Sequence, residues 1–162
     1  DRGGGRDACG HGFGVAGGWR TWLDRRNGRW IACLVHYAQK GGEPGGGAEW
    51  TRLVEFDDDW RETGGWALPA DRRAALGARG YSLSGGAMGP GGHLFVTGHD
   101  NTELYVLDFP TAGPQMTWSA TLPIPAEGQA FAFDPAQPGI MHLILKRTRE
   151  IITGRITPPA GR

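Results

Sequence analysis

At 162 residues, with 29 Gly, 11 Pro, seven Trp, six Phe and three Tyr, the chain is long enough for one domain with a real core and too short for two. Its 17 basic residues balance 17 acidic ones, which leaves no net field to hold nucleic acid or an anionic membrane surface. No apolar run approaches the roughly 20 residues of a spanning helix, so no membrane span is expected, and aromatics set in alternating apolar segments argue against disorder.

Residues Asp1 to Gly18 are Gly-rich and poor in apolar side chains, which reads as an arm. The chain opens on Asp1 rather than Met, which fits a piece of a longer parent or the removal of an export signal; the second option favours an extracellular or periplasmic location. Strand signals start at Trp19. Trp19 to Leu23 is short and aromatic, Asn27-Gly28 is a tight-turn signal, and Arg29 to Tyr37 is apolar again, so a hairpin is predicted. Gln39 to Ala48 reads as loop, and Trp50, Leu53 and Phe56 mark a further strand.

Between Trp60 and Gly80 the pattern changes. Pro69 followed by Ala70 to Leu76, with Gly77 behind, predicts one short helix. From there to the end the chain reads as strands over 83–88, 93–97, 103–109, 115–124, 129–133, 140–145 and 150–156, each bounded by Gly, Pro, Asn or Asp. Ala87-Met88-Gly89-Pro90 recurs as Ala132-Phe133-Asp134-Pro135, and a turn and a strand follow in both copies. The period is about 45 residues, the length of a four-stranded propeller blade. The fold expected is therefore all-β: a partial β-propeller of two to three four-stranded antiparallel blades, with one short helix in an inter-blade insertion. The arm is 1–18, the blades are about 19–56, 81–124 and 129–157, the insertion is 57–80 and the tail is 158–162. Fewer than four blades cannot close a ring. Other chains or copies of this one would then complete it, or the chain belongs to a larger propeller, or the sheets pack as a sandwich.

Gly64-Gly-Trp-Ala-Leu-Pro69, Gly85-Gly-Ala-Met-Gly-Pro90, His93-Leu-Phe-Val-Thr-Gly-His-Asp100 and Glu103-Leu-Tyr-Val-Leu-Asp108 together resemble segments of uncharacterised bacterial β-propeller proteins that carry a loose cycloisomerase label. The resemblance runs from about Trp50 to Thr153 and rests on structural blade markers, so it implies a fold and no particular activity. Gly89-Pro-Gly-Gly92 departs from the Pro-Asp-Gly usual in such blades.

Several groups of residues could carry chemistry. Gly12-Phe-Gly-Val-Ala-Gly17 spells a dinucleotide fingerprint but lacks the strand before it and the helix after it. Cys9, His11, Cys33 and His36 have the residue types of a zinc site, although residues three apart on a strand point to opposite faces. A Cys9–Cys33 disulfide and two separate buried thiols are the other readings. Asp57-Asp58-Asp59 offers hard oxygens of the kind calcium uses, without the spacing of a known loop; a solvated turn is the plainer reading.

If the second-to-third-strand loops and the segments leading into each blade share one rim, that rim gathers Asp24, Arg25 and Arg26 with His99, Asp100, Asn101, Glu127, Lys146 and Arg147. There His99 would act as a base, Asp100 would orient it or hold a metal, and Glu127 would assist, as in a propeller hydrolase or lactonase. Trp22, Trp30, Trp50 and Trp118 are expected in the core, whereas Trp60 and Trp66 are expected at the surface, where indole faces could stack on a glycan. A binding or scaffolding module for a glycan or small molecule is the leading functional expectation. The alternatives are that hydrolase and an assembly subunit whose unpaired strand edge is completed by another chain.

Overall fold

The computed structural model of the chain describes residues 19–36, 47–77, 83–99 and 101–157. These residues form three antiparallel sheets. The first is β1 (Trp19–Arg26), β2 (Arg29–Val35), β3 (Arg52–Phe56) and β4 (Glu62–Ala67), in that spatial order. The second runs β5 (Gly85–Met88), β6 (Leu94–Thr97), β7 (Glu103–Asp108) and β8 (Thr117–Pro123). The third has β9 (Phe131–Phe133), β10 (Ile140–Leu145) and β11 (Glu150–Arg155), with β10 in the middle.

The first hairpin turns where the sequence asks it to. Asn27 and Gly28 have φ of 50° and 79°, the paired left-handed conformation of a two-residue turn whose twist matches the strands it joins. The single α-helix described, α1 (Ala70–Gly77), follows Pro69, whose carbonyl accepts from the Arg72 and Arg73 N–H groups. Its Leu76 drops into the core between the first two sheets.

One correction concerns the insertion read over 57–80. Its middle is β4, hydrogen-bonded along β3 from Arg52↔Ala67 to Phe56↔Glu62. Glu62-Thr-Gly-Gly-Trp-Ala hides this strand because two adjacent glycines depress strand propensity and no apolar alternation survives. As the outer strand of its sheet, β4 has only to complete a ladder. Its last residue also bonds the segment leading into β8, where the Ala67 N–H donates to the Pro114 carbonyl and the Met116 N–H to the Ala67 carbonyl.

The middle sheet is buried on both faces. Alternation along β6 and β7 sends Leu94, Val96, Tyr105 and Leu107 to one side, against Cys33, Val35 and Leu53 of the first sheet. It sends Phe95, Leu104 and Val106 to the other side, against Met141 and Leu143 of the third. Each such side chain, taken fully out of water, contributes about 1.5–3 kcal/mol. The three first strands β1, β5 and β9 are neighbours, β5 lying against both of the others. The outer face of the third sheet leaves Ile144 and Ile151 at 41% and 73% exposure.

Cys33 is a free thiol within the first interface. Burial pushes it up to about 12. The unfolded chain gives up this proton near the ordinary thiol value of 9.0 and the folded chain holds it towards 12. The contribution to stability is therefore whole below the first value and is lost as the pH climbs through the second. At neutral pH, iodoacetamide is expected to leave Cys33 unlabelled in the native protein and to label it readily in denaturant, as read by peptide mass spectrometry. Rapid native labelling would contradict this packing.

Candidate functional site

The first strands of the three sheets meet around a cleft of about 490 Å3. Leu23 and Asp24 of β1 form one wall, Gly86 to Pro90 a second, and Phe131 to Pro135 with the turn at Pro138-Gly139 a third. The volume falls within the range of small-molecule sites, roughly 300–1,000 Å3. The two similar tetrapeptides of the sequence, Ala87 to Pro90 and Ala132 to Pro135, both line it. They were legible as turn markers only, because backbone, glycine and proline carry no chemical signature.

Asp24 and Asp134 are the charged side chains of the wall. Oδ2 of Asp24 accepts the Met88 N–H at 2.6 Å, tying β1 to β5, and Oδ1 accepts the Arg25 N–H at 2.7 Å. Asp134 follows β9 and turns the chain, its Oδ1 accepting the Ala136 N–H at 2.8 Å and its Oδ2 the Gln137 amide at 3.1 Å. The Ala136 N–H, with help from Gln137 and His142, holds its carboxyl below the usual carboxylate value.

The structure divides the residues gathered on one rim by the sequence reading. Asp24 and Arg25 end β1, and Asp24 faces the cleft beside the β5–β6 and β9–β10 turns. The β6–β7 loop with His99 and Asn101, and the β10–β11 turn with Lys146 and Arg147, lie at the opposite ends of β6 and β10. At that end Asn101 donates to the Tyr105 hydroxyl at 3.2 Å, and Arg147 stands 3.8 Å from Glu127. The segment leading into β9 does pass over this loop, since the Gly128 N–H donates to the Asn101 carbonyl and the Thr97 hydroxyl to the Gln129 carbonyl. Asp100, Cys9 and His11 lie outside the described residues, as do the other residues of the arm and the tail.

The remaining sequence candidates are engaged in packing. Trp60 stacks on Trp30 at 5.7 Å, and Trp66 meets Phe109 edge-on at 4.9 Å. Trp50, expected in the core, faces solvent at 49% exposure; it ends a short 3-10 turn beside His36 rather than a strand. Asp57 accepts the Asp59 and Arg61 N–H groups, while Asp58 pairs with Arg25 and Asp59 with Arg61. This is the geometry of a solvated turn. No three His, Cys, Asp or Glu side chains converge among the described residues.

Two hydroxyl–imidazole–carboxylate groups invite a catalytic reading and lack its geometry. His93 and Ser119 both hydrogen-bond Asp108, so the carboxylate stands in the middle. A nucleophile relay needs the imidazole there, and this group instead pins the start of β6 to β7 and β8. In the third sheet His142 Nδ1 meets the Thr153 hydroxyl at 2.8 Å, but its Nε2 is 3.8 Å from Asp134, beyond hydrogen-bonding reach.

No protein-family model, curated protein or solved structure matches the chain.

Proposed function

We propose that the chain is a binding module built as consecutive blades of a β-propeller, with its ligand seated in the cleft where β1, β5 and β9 meet. The carrying observation is the cleft itself: an apolar wall from three sheets, with two oriented carboxylates, of a size that suits a small molecule. The blade reading draws support from the middle sheet, which is packed on both faces, and from the adjacency of the three first strands. Propeller sites form where inner strands converge, and a site of this kind combines side chains that no single repeat holds.

A fragment panel screened by ligand-observed NMR is the test. Ala132 is exposed on the cleft wall, so Ala132→Trp fills the space at little cost to folding. Binders of the parent protein that are lost on this change support the reading. A panel whose every hit survives it would overturn the assignment to the cleft.

A second reading, an assembly subunit, is favoured by the exposed Ile144 and Ile151. They lie on the reverse of the face by which the third sheet packs against the second. The occupant we assign is a second copy of the chain, because three sheets are fewer than ring closure needs. Sedimentation of the parent and of Ile151→Lys decides it: a dimer that the substitution dissociates supports the reading, and a monomer at high concentration overturns it.

A further inference from the structure

The charge of the cleft narrows what it would select. The chain as a whole is neutral, yet among the described residues the lining includes Asp24 and Asp134 and no Lys, Arg or His. Two guanidinium groups follow Asp24 directly, and both are drawn elsewhere. Arg25 pairs with Asp58 at 2.7 Å and lies over the Trp30 ring at 4.4 Å, while Arg26 lies over the Phe109 ring at 3.9 Å. The donors to Asp24 and Asp134 are amide groups, which orient a carboxylate without cancelling its charge. Among the described residues, the titratable group paired with Asp134 is His142, at 3.8 Å. An ionised carboxylate oxygen has two lone pairs, and each oxygen of Asp24 takes one of these amide donors.

The rest of the wall sets the shape of what those carboxylates would hold. Leu23, Met88, Phe131 and Phe133 give it an apolar and aromatic body, and ring faces attract cations as well as hydrocarbon.

We infer that the cleft takes a small organic cation, an ammonium or amidinium head on a compact apolar or aromatic body, and rejects the matching carboxylate. The inference rests on the binding reading above and goes further than it.

Three isosteres test it by titration calorimetry at low salt: 2-phenylethylamine, 2-phenylethanol and 3-phenylpropanoate. The amine is expected to bind best and the carboxylate not at all. Asp24→Asn and Asp134→Asn should each weaken the amine by about threefold, the range of a partly exposed ion pair, and leave the alcohol unchanged. Raised salt should weaken the amine alone. The Asn at position 24 keeps an acceptor for the Met88 N–H, and the exposed Asp134 turn gives a second variant should the first fold poorly. Equal binding of all three compounds, lost in Ala132→Trp, would overturn the charge inference and leave the cleft as a site. An amine that fails to bind while the alcohol binds does the same, and no cleft-directed binding by any compound overturns both readings.

Discussion

Among the described glycines, Gly128→Ala is expected to be the most damaging addition of a methyl group. Gly128 is buried where the segment leading into β9 crosses the β6–β7 loop. A Cβ at this position would fall on the carbonyl group of Gly98. Both colliding groups are backbone, so no rotamer change relieves the overlap, and the Gly128–Asn101 hydrogen bond must break for the chains to part. Overpacking of this kind costs about 3 kcal/mol or more, a large part of the 5–15 kcal/mol that holds an ordinary domain together. The melting temperature should fall by about 10 °C. Gly154→Ala is the control, because a Cβ there meets nothing within 4 Å, and its effect should stay within about 0.5 kcal/mol. Equal melting of the two variants would mean that the two segments do not cross as described.

Phe95→Ala should cost about 3–5 kcal/mol by the usual range for a deleted core ring. Phe95 is fully buried in β6, on the face turned to the third sheet, and meets Phe133 edge-on at 5.0 Å. Gly89 has no side chain because a Cβ there would strike both of these rings. The ring thus fills a space shared by β5, β6 and β9, one that backbone on three sides cannot collapse to close. Chemical denaturation of the variant measures the loss, and its midpoint should move while the slope stays. A loss under about 1 kcal/mol would mean that the third sheet is not seated on this ring.

Much of this architecture was legible in the residues. The Asn27-Gly28 turn, the Pro69 helix start and the alternating runs of β6 to β11 each announce themselves locally, because a tight turn, a fixed φ and a two-residue period leave marks in composition. What stayed hidden has a common physical cause: it depends on neighbours distant in the chain. β4 is a strand only because β3 offers it a ladder, since Gly64 and Gly65 would not choose that conformation. Trp60 packs because Trp30 lies opposite, and Trp50 is exposed because its short turn carries it away from the sheet.

The candidate site was the least legible part. Polar turns such as 99–101 and 146–147 attract attention because they are polar, whereas the cleft is made of glycine, proline and phenylalanine with one carboxylate at each side. Asp24 was read at the first hairpin, where it lies, but was grouped with the 99–101 and 146–147 turns, because the sequence does not reveal which turns face the same way. The β5–β6 and β9–β10 turns line the cleft, and the β6–β7 and β10–β11 loops lie at the far end of their sheets.

The central claim is that the second sheet lies between the other two, with β1, β5 and β9 gathered at one side. Amide hydrogen exchange read residue by residue by NMR tests it most directly. The amides of β6 and β7, in strands whose two faces are both covered, should exchange only through global opening and be the slowest in the protein. Those of β4 and β11, the outermost strands of their sheets, should exchange many times faster. If β6 and β7 instead exchange as fast as those outer strands, the second sheet is not enclosed, and the cleft built on its packing does not exist.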